Sequence, residues 1–215
     1  MTKIKEMMNN MFHKKNIGKR TVAVIVANIM MGFALSLLVK VDMGIDPCSS
    51  MNLGIAKHLR MSLGNWLVLF NIMLFFVILR YDKTKIGIGT LVNMVVVGYV
   101  MDFFSWVWIK TLPINLFDSL SVRIAILIPT LMIFILAAST YIAVDLGTSP
   151  YDAVPMIIAS RQNKVPFRVV RICWDALATL IGFMLGSTIG IVTVVMAFAL
   201  GTVITIVQKK IACFI

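Results

Sequence analysis

The chain is nearly without glutamate: Glu6 is the only one in 215 residues, and Asp and Glu together number 9 against 20 Lys and Arg. Histidine is confined to His13 and His58, and cysteine to Cys48, Cys173 and Cys213. Three cysteines far apart, an odd number, make neither a disulfide framework nor a metal-ligand pattern, and two histidines leave no basis for a structural zinc site. No metal and no cofactor is therefore expected. Also missing are the Gly-rich phosphate loop with its Lys, the His-Glu-x-x-His pair and the nucleophile elbow. The expectation is a protein that is not an enzyme and encodes no ATP motor.

What is present is apolar. Hydrophobic residues make up 60% and charged ones 13%, in runs too long for a soluble core of this size. The solvent for these runs must be lipid, and the bilayer is the first partner. The net charge of +11 does not point to nucleic acid, because the cations lie between apolar runs rather than along one basic face with interleaved aromatics. They read as membrane-flanking anchors.

Crossing about 30 Å of hydrocarbon takes roughly 20 apolar residues. Six segments qualify: 21–39, 63–79, 86–109, 124–144, 165–185 and 188–207. Placing the N-terminus in the cytoplasm leaves only Lys40, Lys57, Arg60, Lys110 and Arg123 outside, which is the distribution the positive-inside rule favours. Both termini are then cytoplasmic. Before the first span, residues 1–20 are basic, with Ile4, Met7, Met8, Met11 and Phe12 at helical spacing. That spacing fits an amphipathic helix on the inner leaflet, and a frayed basic tail remains the alternative.

An internal repeat organises the rest. Val41-Asp42-Met43-Gly44-Ile45-Asp46-Pro47 matches Val144-Asp145-Leu146-Gly147-Thr148-Ser149-Pro150 at an offset of 103, and Ile86-Gly87-Ile88-Gly89-Thr90 matches Ile189-Gly190-Ile191-Val192-Thr193 at the same offset. Chance recurrence of apolar letters would not reproduce Asp, Gly, Pro and Thr in order at one spacing. The expected organisation is a basic segment 1–20, a first copy 21–109, a linker 110–123, a second copy 124–208 and a tail 209–215. Three spans per copy is an odd number, so the second copy enters the membrane from the opposite side. The fold class is thus an all-α membrane protein of six transmembrane helices in two inverted three-helix repeats, each with a short helix after its first span. Inverted repeats recur in transporters.

The paired Asp-x-Gly-x-x-Pro and Gly-x-x-Thr blocks, carried from Arg20 to Lys210, resemble the YczE/YyaS/YitT-type family of bacterial integral membrane proteins. The second-copy run Leu146-Gly147-Thr148-Ser149-Pro150-Tyr151-Asp152 carries the likeness best. In the first copy, Asp46-Pro47-Cys48-Ser49 lacks the aromatic-acid pair. The resemblance implies the fold and a bacterial cytoplasmic membrane, and implies no substrate.

Several residues stand out as candidates for a binding site or gate. Asp46 and Ser149 are good N-caps, and Pro47 and Pro150 sit where a first turn tolerates a missing N–H, so short helices start there. They are too short to span, and either dip into the bundle or lie at the interface. Asp175 falls about ten residues into the fifth span, with Arg171 one turn earlier as a partner. Asn71 is its approximate counterpart in the first copy. Asn93 is polar within the third span, and Asp152 belongs to the aromatic-acid pair. Asp42 and Asp145 are repeated, which marks a site or gate, although a turn before Gly44 and Gly147 also explains them. Gly87, Thr90, Gly190 and Thr193 read as helix-start and packing residues. The function these patterns imply is carriage of a small solute by alternating access. Alternatives from other classes are a substrate-capture subunit that needs an energising partner, and a non-transporting regulator or scaffold. A homo-oligomer is a further open partner.

Overall fold

The computed structural model describes residues 16–162 and 165–213; the expectations for the basic segment before residue 16, including its helical spacing, lie outside them. Every regular element among the described residues is helical. In chain order these are α1 (Ile17–Val41), α2 (Pro47–His58), α3 (Leu63–Tyr81), α4 (Ile88–Thr111), α5 (Leu120–Val144), α6 (Pro150–Arg161), α7 (Phe167–Met184) and α8 (Ile191–Ala212). Short 3-10 turns at Lys83–Lys85 and Ile114–Phe117 precede α4 and α5. The fourth apolar segment starts as a helix at Leu120, four residues earlier than its apolar run, because Ser119 is the extended N-cap residue and Leu120, Ser121, Val122 and Arg123 form the first turn.

Four helices, α1, α3, α4 and α5, are long and apolar enough to cross a membrane. A fifth is reached if the two segments of α8, Ile191–Phe198 and Leu200–Ala212, bent by 56°, are taken as one span. α7 has 18 residues and carries Arg168, Arg171 and Asp175, so its composition falls short of the same measure.

Polarity is distributed inside out. Large apolar side chains such as Phe76, Ile109, Phe183 and Ile191 are mostly exposed, while Asn28, Ser36, Asn52, Thr90, Ser139 and Thr193 are fully buried. A water-soluble bundle would bury the first group and solvate the second. A bilayer reverses the requirement, because outward apolar groups meet lipid and each inward polar group needs a protein partner. Those partners exist: Asn93 donates to Asn28 Oδ1 at 2.7 Å, Trp66 to Asn52 Oδ1 at 2.8 Å, and Trp108 to Ser36 Oγ at 2.9 Å.

α1 packs along α5 at the centre, with Ala34, Leu38, Ala137 and Tyr141 in the same core. Around that pair the partners alternate. α1 also contacts α4, and α5 contacts α8; α2 lies on α7, and α6 lies on α3. Small residues permit the close approaches. A methyl added to Gly182 would sit 2.7 Å from Ser50 Oγ, and one added to Gly98 would sit 2.9 Å from Gly64 Cα.

Candidate functional site

The repeated signature builds two interlocks between the halves of the chain. α1 ends at Asp42 and α5 at Asp145, both in the left-handed conformation with φ of 55° and 52°, a region where aspartate is one of the few tolerated non-glycine residues. Gly44 and Gly147 follow at φ of 104° and 111°, which only glycine adopts without strain. The turn lets each strand of backbone double back beside the first turn of a helix in the other half. Gly89 N–H donates to the Leu146 carbonyl at 2.7 Å, and Val192 N–H to the Met43 carbonyl at 3.2 Å. The two bonds are counterparts: their donors, Gly89 and Val192, stand 103 residues apart, as do their acceptors, Met43 and Leu146.

Threonine completes each interlock. Thr90 Oγ1 donates to the Thr148 carbonyl at 2.9 Å and accepts from Gly87 N–H at 3.1 Å. Thr193 Oγ1 accepts from Ile45 N–H at 3.1 Å and from Gly190 N–H at 3.5 Å. A methyl on Gly87 would overlap the Leu146 carbonyl, and one on Gly190 the Met43 carbonyl. Glycine is required at both positions by proximity, since their φ values are extended.

The short helices begin as their caps predict. Asp46 Oδ2 accepts from Ser49 N–H at 2.9 Å, and Ser149 Oγ from Asp152 N–H at 3.2 Å, with Pro47 and Pro150 in the first turn. Burial falls along each helix: Pro47, Ser49 and Ser50 are buried where Lys57 and His58 are exposed, and Pro150 and Tyr151 are buried where Arg161 is exposed. Both N-termini therefore point into the bundle.

They meet a cavity of about 680 Å³. One wall is charged. Arg171 bridges the Asp152 carboxylate and, at 2.8 Å, Asp175 Oδ2. Tyr151 OH donates to Asp175 Oδ1 at 2.7 Å, Ser149 Oγ donates to Asp152 Oδ2 at 2.8 Å, and the Arg171 guanidinium lies 5.5 Å from the Tyr151 ring centroid. Asp175 is 4% exposed, so its charge depends on these partners. The facing wall comes from the first half and has no ionic network: Cys48, Ser49, Leu67 and Asn71, with Asn93 nearby and Asp46 as its one carboxylate. The cavity reaches the exposed Phe167 and Arg168 at the start of α7.

Of the residues singled out in the sequence, the fold brings Asp46, Asn71, Asn93, Asp145, Gly147, Ser149, Asp152, Arg171 and Asp175 to this cavity. Asp42 is not among its lining; it is exposed and accepts from Thr188 Oγ1 at 2.7 Å. Asp102, on α4, accepts from Gly64 N–H at 2.8 Å and caps the first turn of α3. Two cavity residues were not singled out. Tyr141 looks in sequence like any apolar helix position, and Tyr151 was noted only as half of the aromatic-acid pair. The phenol is their distinguishing signal, because a hydroxyl inside a bundle calls for a partner.

Comparison with known proteins agrees with this architecture. Residues 18–209 match a family of unknown function, DUF6198. The chain is 26% identical over 177 residues to an uncharacterized protein of Haemophilus influenzae, covering 81% of this chain and 77% of that one. It is 22% identical over 185 residues to the uncharacterized membrane protein YczE of Bacillus subtilis, covering 82% and 79%. No solved structure matches. With a family match across nearly its whole length, relatives of the same extent and an inside-out helical bundle, the chain belongs to this YczE-type family of membrane proteins.

Proposed function

We propose that the protein is a carrier of a small solute in the bacterial cytoplasmic membrane, working by alternating access between two inverted three-helix repeats. The observation that supports it best is the pairing of equivalent contacts. Gly89 to Leu146 and Val192 to Met43 are the same contact made twice, once from each half, around the central α1–α5 pair. An arrangement related by a pseudo-two-fold axis has two equivalent ways to be asymmetric, and exchanging them moves an opening from one side to the other.

In this reading α7 is a span whose charges face the cavity, which makes six spans with both termini cytoplasmic. α2 and α6 are re-entrant half-helices whose N-termini reach mid-membrane, where irregular backbone is tolerated only beside protein or a cavity. The cavity reaches Phe167 and Arg168, on the side assigned to the cytoplasm, so this is the inward-facing arrangement. The protein performs no chemistry on its solute, and the driving force comes from a gradient.

Reconstitution into proteoliposomes tests the reading. Uptake of at least one member of a panel of small metabolites is expected for the wild type, with at least a tenfold loss in Asp175→Asn. Absence of uptake for every solute under every imposed gradient, together with reproducible capture of one partner protein, would replace the carrier with a scaffold or a capture subunit.

A further inference from the structure

We infer that the cavity takes a small organic cation, a primary ammonium or guanidinium head on an apolar body, and that Asp46 is the residue that receives the head. Among the described residues, two buried polar atoms on the cavity lining have no hydrogen-bond partner: Asp46 Oδ1 and Tyr141 OH. Tyr141 is 3% exposed, and Asp46 already uses its other oxygen to cap α2. An unsatisfied acceptor in such a place is unfavourable unless something donates to it. Tyr141 OH can donate or accept, whereas Asp46 Oδ1 as a carboxylate oxygen can only accept. Together they specify a ligand that brings at least one N–H or O–H.

The sign of the charge follows from the lining. Asp46, Asp152 and Asp175 line its interior, against Arg171; Asp145 is exposed and engaged elsewhere. Arg171 is committed to Asp152 and Asp175, and Arg168 is exposed at the mouth. The N-termini of α2 and α6 each contribute about half a positive charge, together one charge against the two negative charges left after Arg171. Negative charge remains in excess, so a carboxylate or phosphate ligand would meet repulsion. Beyond the polar wall the cavity is lined by Met31, Leu35, Phe134, Met196 and Leu200, which suits an alkyl or aryl body rather than a hydrated metal ion.

This deepens the carrier reading and rests on it for the fate of the bound cation, but not for its binding. The test is a titration of the detergent-solubilised full chain with n-butylammonium, butyrate and 1-butanol at matched ionic strength, read by tryptophan fluorescence. Trp174, whose ring centroid lies 5.6 Å from that of Tyr151, reports on the charged wall. Saturable binding of n-butylammonium is expected, tighter by at least about tenfold than that of butyrate or butanol, since a hydrogen bond between charged groups carries that much. Asp46→Asn keeps an N-cap of equal quality and is expected to weaken n-butylammonium by about tenfold or more. Tyr141→Phe is expected to weaken it several-fold, and Asp118→Asn, on the exposed linker, leaves it unchanged. Preference for butyrate, or affinity for n-butylammonium unchanged in both Asp46→Asn and Tyr141→Phe, overturns the inference. Binding through Asp46 without uptake into proteoliposomes supports the site and removes the carrier; uptake indifferent to Asp46→Asn does the opposite.

Discussion

The two halves of the chain share a backbone plan and differ in what they place on it. In the repeated signature the first half has Cys48 and Ser49 where the second has Tyr151 and Asp152, and, one residue off that offset, Leu67 and Asn71 where the second has Arg171 and Asp175. All eight line one cavity. The first half supplies a wall with one carboxylate, Asp46; the second supplies a hydrogen-bonded ionic network. The interlocks show the reverse, because Gly44, Gly87, Thr90, Gly147, Gly190 and Thr193 perform the same task twice. Residues that hold the halves together are kept in both copies, and residues that face the cavity have diverged. A buried network needs all its members present, so a charged wall is economical once and would be repulsive if facing its own copy.

The largest effect should come from breaking the shared part. Gly87→Ala and Gly190→Ala each push a methyl into a backbone carbonyl that no rotamer change can move, and each is expected to cost about 3 kcal/mol. The double variant should yield no monodisperse protein by size-exclusion chromatography. Gly201→Ala, with nothing within 4 Å, is the neutral comparison.

Converting the charged wall to its neutral counterpart comes next. Arg171→Leu strands Asp152 and the buried Asp175, and thermal unfolding in detergent should report a loss of about 2 to 3 kcal/mol, less than for a fully buried pair because Arg171 is 31% exposed. Asp152→Ser, Arg171→Leu and Asp175→Asn together install the first half's residues and should recover most of that loss while leaving solute uptake reduced at least tenfold. Failure of the triple variant to recover would mean that the network shapes the fold rather than the cavity.

Smaller effects sharpen the equivalence of the interlocks. Thr90→Val and Thr193→Val each remove a hydroxyl bonded across the halves, and each should cost about 1 to 2 kcal/mol. Their unfolding midpoints should fall by similar amounts, and a large inequality would show that the two interlocks carry unequal load. Ser149→Ala removes one N-cap at about 1 kcal/mol, the smallest shift, readable in the same melts.

Much of this plan was legible in the residues. Asp46 and Ser149 announced helix starts before Pro47 and Pro150, Arg171 and Asp175 stood one turn apart, and the offset of 103 paired positions that make matching contacts in the fold. Asp42 was less legible. Repetition marked it equally with Asp145, yet only Asp145 reaches the cavity, because a local turn motif fixes the backbone and not what lies beyond it. The capping partner of Asp102 was not legible either, since Gly64 N–H is 38 residues away.

The sequence alone determined the apolar character of the helices, the helix starts and the turns, since these depend on composition and on contacts within a few residues. The tertiary structure alone decided that Tyr151 and Arg171 close around Asp175, that Asp46 and Tyr141 each keep a polar atom unengaged, and that only one wall carries an ionic network. Those facts depend on which helices meet, and the packing of α2 on α7 and α6 on α3 is written in shape and burial rather than in any local pattern.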